Sequence, residues 1–185
     1  MAKKPLPTPD ELRQLLEYDP GSGVLTWRPR SASMFAPGNR GADKVCIGWN
    51  KKYAGQEAGN VHPISGYRIV GLGQLVGAHR VAWAIYYSEW PKHVIDHING
   101  DPLDNSIGNL RDVTPRQNQK NCFRRVDNKS GVTGVSRAPR NRGWVAKIRV
   151  DGRQVHLGTF DTIEEAASAR AMANHRFGFS TRHGS

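Results

Sequence analysis

The chain is poor in cysteine, in acidic residues and in long apolar runs. Only Cys46 and Cys122 occur among 185 residues. Two thiols make neither a disulfide framework nor a cysteine-rich zinc site, so no structural zinc is expected. The simplest reading is two free thiols in a reducing cytoplasm; a single long-range disulfide is the alternative. No apolar stretch approaches the ~18 residues that would suggest a membrane span. No apolar segment follows Met1-Ala-Lys-Lys-Pro5 to act as a secretory signal. Neither a membrane partner nor export is therefore expected. Internal repeats and long low-complexity segments are also missing.

Acidic residues number 16 against 27 Lys and Arg, which leaves a net charge of +11 and a pI of about 10.1. Such a surface seeks polyanions, nucleic acid before anionic membrane. At 185 residues and 37% hydrophobic composition there is room for one ordinary domain or two small ones.

Thr8-Pro9-Asp10-Glu11 starts a helix: Thr8 caps, Pro9 takes the first position and Glu11 completes a capping box. Leu12, Leu15 and Leu16 share a face, and the Asp19–Gly23 run ends the helix. Val24–Trp27 reads as a short strand. Residues 28–43 read as a long basic loop, and 49–60 as turns between short strands. Gly66–Gly71 and Gln74–Gly77 form a predicted hairpin. Ala78–Tyr87 has helical spacing, stopped by Trp90-Pro91.

Val94 to Asn121 is too polar for core and concentrates Asp, His and Asn. Val94–Ile98 begins as a strand, Asn99-Gly100 turns, and Leu110–Val113 returns. Thr114-Pro115 then opens a helix. Asn99, Asp101, Asp104 and Asn105 read best as turn chemistry, because their side chains bond nearby backbone. Asp96, His97 and Asn118 are the residues for which a chemical role is the better reading. A hard cation such as Mg²⁺ keeps most of its waters and needs one or two protein oxygens. Asp96 offers a carboxylate and Asn118 an amide carbonyl. A histidine such as His97 is a usable base near neutral pH.

Residues 65–121 resemble the phage-type HNH endonucleases, the branch that includes nicking and homing enzymes. The resemblance is carried by His79-Arg80 opening a helix, then Asp96-His97-Ile-Asn-Gly-Asp, Asp104-Asn105, Asn109-Leu110, Thr114 and Asn118. His97 precedes Asn109 by 12 positions and Asn118 by 21. The resemblance implies a ββα-metal fold, with a divalent metal, Mg²⁺ or in its place Mn²⁺, on Asp96 and Asn118. It implies His97 as general base, and Asn109 steadying the loop and the His97 ring. His79 is expected to be structural, and His62 and His93 ordinary surface residues.

The last third repeats a simpler logic. Val132–Ala138, Trp144–Val150 and Arg153–Thr159 read as three short strands, with Asp151-Gly152 as a hairpin turn. Thr162-Ile-Glu-Glu165 caps a helix kept slim by Ala166, Ala167, Ala169, Ala171 and Ala173 and ended by Gly178. Alternation puts Trp144, Ala146, Ile148 and Val150 on one face, with Val155 and Leu157 inward, and Lys147, Arg149, Gln154 and His156 outward. Residues 115–185 hold 14 Lys and Arg against 5 Asp and Glu, most of the chain's surplus. Gly134-Val135, Trp144–Arg149, Leu157–Phe160 and Glu165–Ala167 resemble the Apetala-type DNA-binding domain of plant ethylene-response factors. That family lays a three-stranded sheet in the major groove. Gln154 and His156 stand where plant domains carry Arg and Trp, so the plant target sequence does not transfer. Arg140, Arg142, Lys147, Arg149, Gln154 and His156 are the expected DNA contacts, with Lys147 and Arg149 reading bases.

The expectation is an α+β chain: a lead segment over 1–64, an HNH nuclease domain over 65–121, a linker over 122–130 and a sheet-plus-helix DNA-binding domain over 131–185. Its partner is double-stranded DNA, bound as monomer or dimer, in the cytoplasm of a bacterial host if the gene belongs to a phage. One site per chain favours nicking. The rival readings are a non-catalytic DNA-binding regulator or packaging accessory, and a nuclease acting on RNA or on any DNA.

Overall fold

The computed structural model describes residues 5–36, 41–118, 127–139 and 142–179. The chain divides into two compact units, residues 1–112 and 113–185.

In the first unit, helix α1 (Pro9–Leu15) carries the capping box: the Thr8 hydroxyl accepts from the Glu11 amide, and the Glu11 carboxylate accepts from the Thr8 amide. It stops at Leu15, earlier than its leucine spacing suggested, because Leu16–Tyr18 (β1) pairs antiparallel with Leu25–Trp27 (β2). Leu12 and Leu16 both end in the core, one from a helix and one from a strand.

Ala42–Tyr53 is a helix, α2, where loops and turns were expected. Its helical period is faint: Gly41 offers no capping side chain, Gly48 interrupts it, and Cys46 is its one buried residue among those described. Tertiary packing holds it instead. The Trp49 ring lies edge-on to Trp27 at 5.7 Å and against Tyr53 at 5.3 Å, and the Arg30 guanidinium sits 3.9 Å from the Trp49 centroid. Cys46 is a free thiol that donates to the Arg30 carbonyl (3.1 Å); Cys122 lies outside the described residues.

Asn60–Val61 (β3), Arg68–Gly71 (β4) and Leu75–Gly77 (β5) form an antiparallel sheet in the order β3-β4-β5. The expected hairpin is its β4-β5 part. Ala78–Tyr87 is helix α3, as the spacing predicts, and buries Ala78, Val81, Ala82 and Ala84. One core joins α1, β1, β2, β4, β5 and α3 through Leu12, Leu16, Leu25, Val70, Val76 and Val81. Arg13 donates to the Ile85 carbonyl and the Ser88 hydroxyl near the end of α3, and the Trp90 indole donates to the Pro7 carbonyl (2.9 Å). The boundary expected at residue 64 runs through this core. Val94–His97 (β6) and Leu110–Val113 (β7) pair as a two-stranded sheet. Ile95 and Leu110 pack with Ala82 of α3.

In the second unit Pro115–Asn118 forms a short helix, α4. Val135–Arg137 (β8), Trp144–Val150 (β9) and Arg153–Phe160 (β10) make an antiparallel sheet in the order β10-β9-β8, and Ile163–Arg176 (α5) packs on it. The three expected strands and capped helix are all present, with β8 shorter than expected. A bulge between His156 and Gly158 breaks the simple alternation: His156 faces Lys147, but Gly158 faces Ala146. Leu157 still reaches the core, whereas Val155 is 37% exposed rather than inward.

Among the alanines of α5, Ala166 and Ala173 are buried, and between them lies Arg170, which the charge count treated as surface. Its guanidinium donates to the Lys147 carbonyl of β9 and to the Asn174 amide oxygen. Gly134 makes room for it. A Cβ there would fall 2.1 Å from Arg170 Nη1 and 2.4 Å from the Lys147 carbonyl oxygen, and φ is +77°.

Candidate active site

The site is built on the strand–loop–strand from Val94 to Val113. Its loop is tied end to end by Asn109. The Asn109 carbonyl accepts from the Ile98 amide (2.8 Å), its side-chain oxygen accepts from the Asn99 amide (2.8 Å), and its side-chain nitrogen donates to the Asp104 carbonyl (2.8 Å). Between these ties run the turn bonds expected of Asn and Asp. The Asn99 oxygen accepts from the Asp101 amide, Asp101 from the Leu103 amide, and Asp104 from the Ser106 amide and hydroxyl. The Ser106 hydroxyl is the main cause that holds the Asp104 carboxyl below its ordinary range.

The first unit's N-terminal hairpin braces this loop. The Tyr18 hydroxyl donates to the Asn105 carbonyl (2.8 Å), and the Pro20 carbonyl accepts from the Ile107 amide (3.0 Å). At Gly23 a Cβ would come within 2.3 Å of the Asn105–Ser106 peptide. Burial pushes the Tyr18 phenol well above its ordinary value, so it stays a donor.

Asp96 and His97 are adjacent on β6 and both buried, at 9% and 4% exposure. Neighbours on a strand point to opposite faces, and the two residues meet different groups. Asp96 Oδ2 accepts from Arg111 Nε (2.8 Å) and Nη2 (2.6 Å), an ion pair across to β7. The His97 ring meets Asn105, His79 and Tyr67. His97 Nε2 lies 3.2 Å from Asn105 Oδ1. The Asn105 amide nitrogen donates to the Leu103 carbonyl (3.3 Å), which turns Oδ1 toward the ring. A neutral His97 then donates from Nε2 and carries its lone pair on Nδ1.

Asn109 thus bonds both ends of the loop, and Asn105 Oδ1 lies beside the His97 ring. Asn105 is 2% exposed, so it is more than a turn former. Arg111 and Tyr67 were also missed. The only signal for Arg111 was a cation one strand away from a carboxylate, and Tyr67 carried none, because its approach depends on how β4 packs. Asn118 ends α4 in the second unit, where its amide donates to the Thr114 carbonyl (3.0 Å).

Among the described residues no three His, Cys, Asp or Glu side chains gather where they could hold a metal. A Mg²⁺ site needs less: one carboxylate and one amide oxygen suit a hard cation that keeps its waters. Asp96 of the first unit has such a carboxylate, paired with Arg111, and Asn118 of the second unit has such an amide oxygen.

In the second unit the register Gln154↔Arg149 and His156↔Lys147 sets these four side chains on one sheet face. Arg149, Gln154, His156 and Arg142 are exposed, and Lys147 is half-buried. Arg140 lies outside the described residues. The other face holds Val135, Trp144, Ala146 and Leu157 against Ala166 and Ile163.

Residues 76–120 match the HNH endonuclease family, a stretch that runs from β5 through α3, β6 and β7. Over 90 residues the chain is 31% identical to Protein 3.8 of Escherichia phage T7, which covers 48% of this chain and 74% of that protein. The chain thus belongs to the family of that phage protein and carries an HNH endonuclease domain. No solved structure matches it. No helix among the described residues is long and apolar enough to cross a membrane.

Proposed function

We propose that the chain is a divalent-metal-dependent HNH endonuclease that cuts duplex DNA and is targeted by its C-terminal sheet. The observation that carries the reading is His97 inside the HNH match: buried, directly following Asp96 in the chain, and with its Nε2 3.2 Å from Asn105 Oδ1. Asp96 and Asn118 are the residues that would hold Mg²⁺ or Mn²⁺. Bound there, such a cation would supply Lewis acidity that offsets charge on the phosphate and leaving oxygen. His97 takes the proton of a water through Nδ1. The water oxygen attacks phosphorus, the bond to the 3′ oxygen breaks, and that oxygen takes a proton from solvent, leaving 5′-phosphate and 3′-hydroxyl ends. Asn109 keeps the loop closed beneath these groups.

Arg142, Lys147, Arg149, Gln154 and His156, with Arg140, form the DNA-binding set. Most hold phosphates, while Lys147 and Arg149 reach base edges. One site per chain favours a nick, and a double-strand break takes a dimer or two events. A phage origin and a homing role belong to the same reading.

The rival is a DNA-binding protein that keeps the HNH fold as scaffold. The Arg111 ion pair on buried Asp96 is the observation in its favour, because a resident cation already serves that carboxylate. Supercoiled plasmid with Mg²⁺ or Mn²⁺ separates them. The nuclease reading expects nicked product with 5′-phosphate ends, and a loss of about 10²–10⁴-fold in His97→Ala. Intact plasmid with several divalent metals would establish the scaffold reading.

A further inference from the structure

Helix α2 is fixed to the first unit by one side. Cys46, Trp49 and Asn50 fall on that side. The Cys46 thiol donates to the Arg30 carbonyl, and the Trp49 ring lies against Trp27 and Phe35. The Asn50 side chain accepts from the Arg30 amide (2.8 Å) and donates to the Arg30 carbonyl (2.9 Å). The segment just before the helix thus holds it firmly.

The opposite side is open. Lys44, Ile47, Gly48, Lys51 and Lys52 are all exposed, Ile47 by 68%. At about 100° per residue, Lys44, Gly48 and Lys51 lie at the centre of this face, with Ile47 and Lys52 at its borders. Among the described residues no carboxylate pairs with Lys44 or Lys51. Asp43 is the one acidic residue of the helix and falls off the lysine stripe.

Gly48 sits in the middle of that stripe. Glycine is, after proline, the residue least suited to a helix interior, and its use is close approach to backbone. Gly23 and Gly59 are required by backbone atoms 2.3 Å from where a Cβ would stand. At Gly48 nothing among the described residues lies within 4 Å of such a Cβ, and the backbone is helical. The fold therefore makes no use of the missing side chain. A body outside the chain would, and it would meet lysines on either side.

We propose that α2 is a docking surface of the first unit for the sugar–phosphate backbone of duplex DNA: Lys44 and Lys51 hold phosphates, and the bare helix at Gly48 lets the strand come close between them. The two lysines stand about 10 Å apart along the helix axis. Lysine holds a phosphate as a point charge and without reading a base. The face carries no Arg, Asn or Gln to recognise a base edge, so the contact is indifferent to sequence. An anionic membrane would want a broad apolar stripe at the centre, where α2 has lysines and a glycine. The inference rests on reading duplex DNA as the partner. It gives the first unit a contact of its own, separate from the C-terminal sheet.

The test measures binding by the full, metal-free chain, so that no cutting is needed. Fluorescence anisotropy on two unrelated duplexes, over a salt series, compares wild type, Lys44→Ala/Lys51→Ala, Gly48→Ala and Gly48→Leu. Loss of two phosphate contacts should reduce the slope of log affinity against log salt by about 1.8, equally on both duplexes. The glycine variants change no charge. Both should raise the thermal midpoint by about 4 °C, because a better helix former enters open space. Both should nevertheless bind more weakly, Gly48→Ala by about 3-fold and Gly48→Leu by about 10-fold, because the new side chain holds the strand off. A residue that served only the fold would not lose affinity as the fold gained stability.

An unchanged slope in the lysine variant would overturn the proposal, as would glycine variants that bind like wild type or that melt earlier. The nuclease reading and the sheet face would survive that result. If Gly48→Leu instead tightens binding to phosphatidylserine vesicles and leaves duplex binding as it was, the face belongs to a membrane and the proposal is wrong. A wild type that binds both duplexes and cuts no plasmid defeats the nuclease reading alone, since the α2 contact is read from binding. A wild type that binds neither duplex defeats both.

Discussion

At the scale of single residues, the site depends on pairs that no one residue reveals. Asp96 is nearly buried and faces the Arg111 guanidinium, which remains partly exposed. A carboxylate taken out of water without this cation is costly. Arg111→Gln should therefore lower the stability of the first unit by about 1–3 kcal/mol, read as a shift in urea midpoint at constant slope. An unmoved midpoint would mean that the ion pair only offsets its own desolvation. His79 makes a second expectation. Its pKa falls from 6.5 to about 4 in the folded chain. Between those values the unfolded chain binds a proton that the folded chain refuses, so stability rises with pH across the window. The contribution is fully present above pH 6.5 and is lost as pH falls toward 4, roughly 3 kcal/mol in all. His79→Phe should flatten that part of the stability–pH curve. Curves of equal slope for the two proteins would contradict it.

At the scale of elements, close approach decides more than propensity. The β9 strand is drawn toward α5 by Arg170, whose guanidinium occupies the space above Gly134. Burial lowers the Arg170 pKa without neutralising it, and the Lys147 carbonyl and Asn174 meet its charge. Gly134→Ala adds a methyl where the guanidinium lies, at a positive φ. The expected loss exceeds about 2 kcal/mol, combining steric displacement with backbone strain. Thermal unfolding of the second unit measures it, and a wild-type midpoint would show that Arg170 swings away freely. The same contact bears on the proposed DNA face, because Lys147 presents its side chain there while its carbonyl is held from behind. Loosening Arg170 should disturb the face without removing any of its charges.

At the scale of the molecule, the charge is distributed unevenly. Residues 115–185 carry 14 basic and 5 acidic residues, and Arg170 is buried among the basic ones. Binding to duplex DNA should weaken steeply with salt, because each phosphate contact releases condensed counterions. Lys147→Ala and Arg149→Ala should each reduce the slope of log affinity against log salt by about one if the residue holds a phosphate. A residue that reads a base should instead relax sequence preference. Fluorescence anisotropy over a salt series, on two unrelated duplexes, separates the two roles. An unchanged slope and preference for both variants would remove the sheet face from the DNA interface.

The sequence by itself determined the elements whose signals are local. The two capping boxes, α3, the β6–loop–β7 unit, three strands of the second unit and α5 were legible because caps, periodicity and turns act over a few residues. The Asn and Asp of the loop declared their turn bonds for the same reason, and the spacing of His97, Asn109 and Asn118 located the HNH stretch. Helix α2 was not legible, because Trp27 and Arg30 hold it from outside its own sequence. The tertiary structure alone decided which groups meet. It set Arg111 against Asp96, assigned the His97 ring to Asn105, brought His79 and Tyr67 beside it, and buried Arg170 inside a helix of alanines. These contacts join residues on different elements, and their partners are chosen by packing and by the exclusion of water. Nothing in the local order of the chain carries that information.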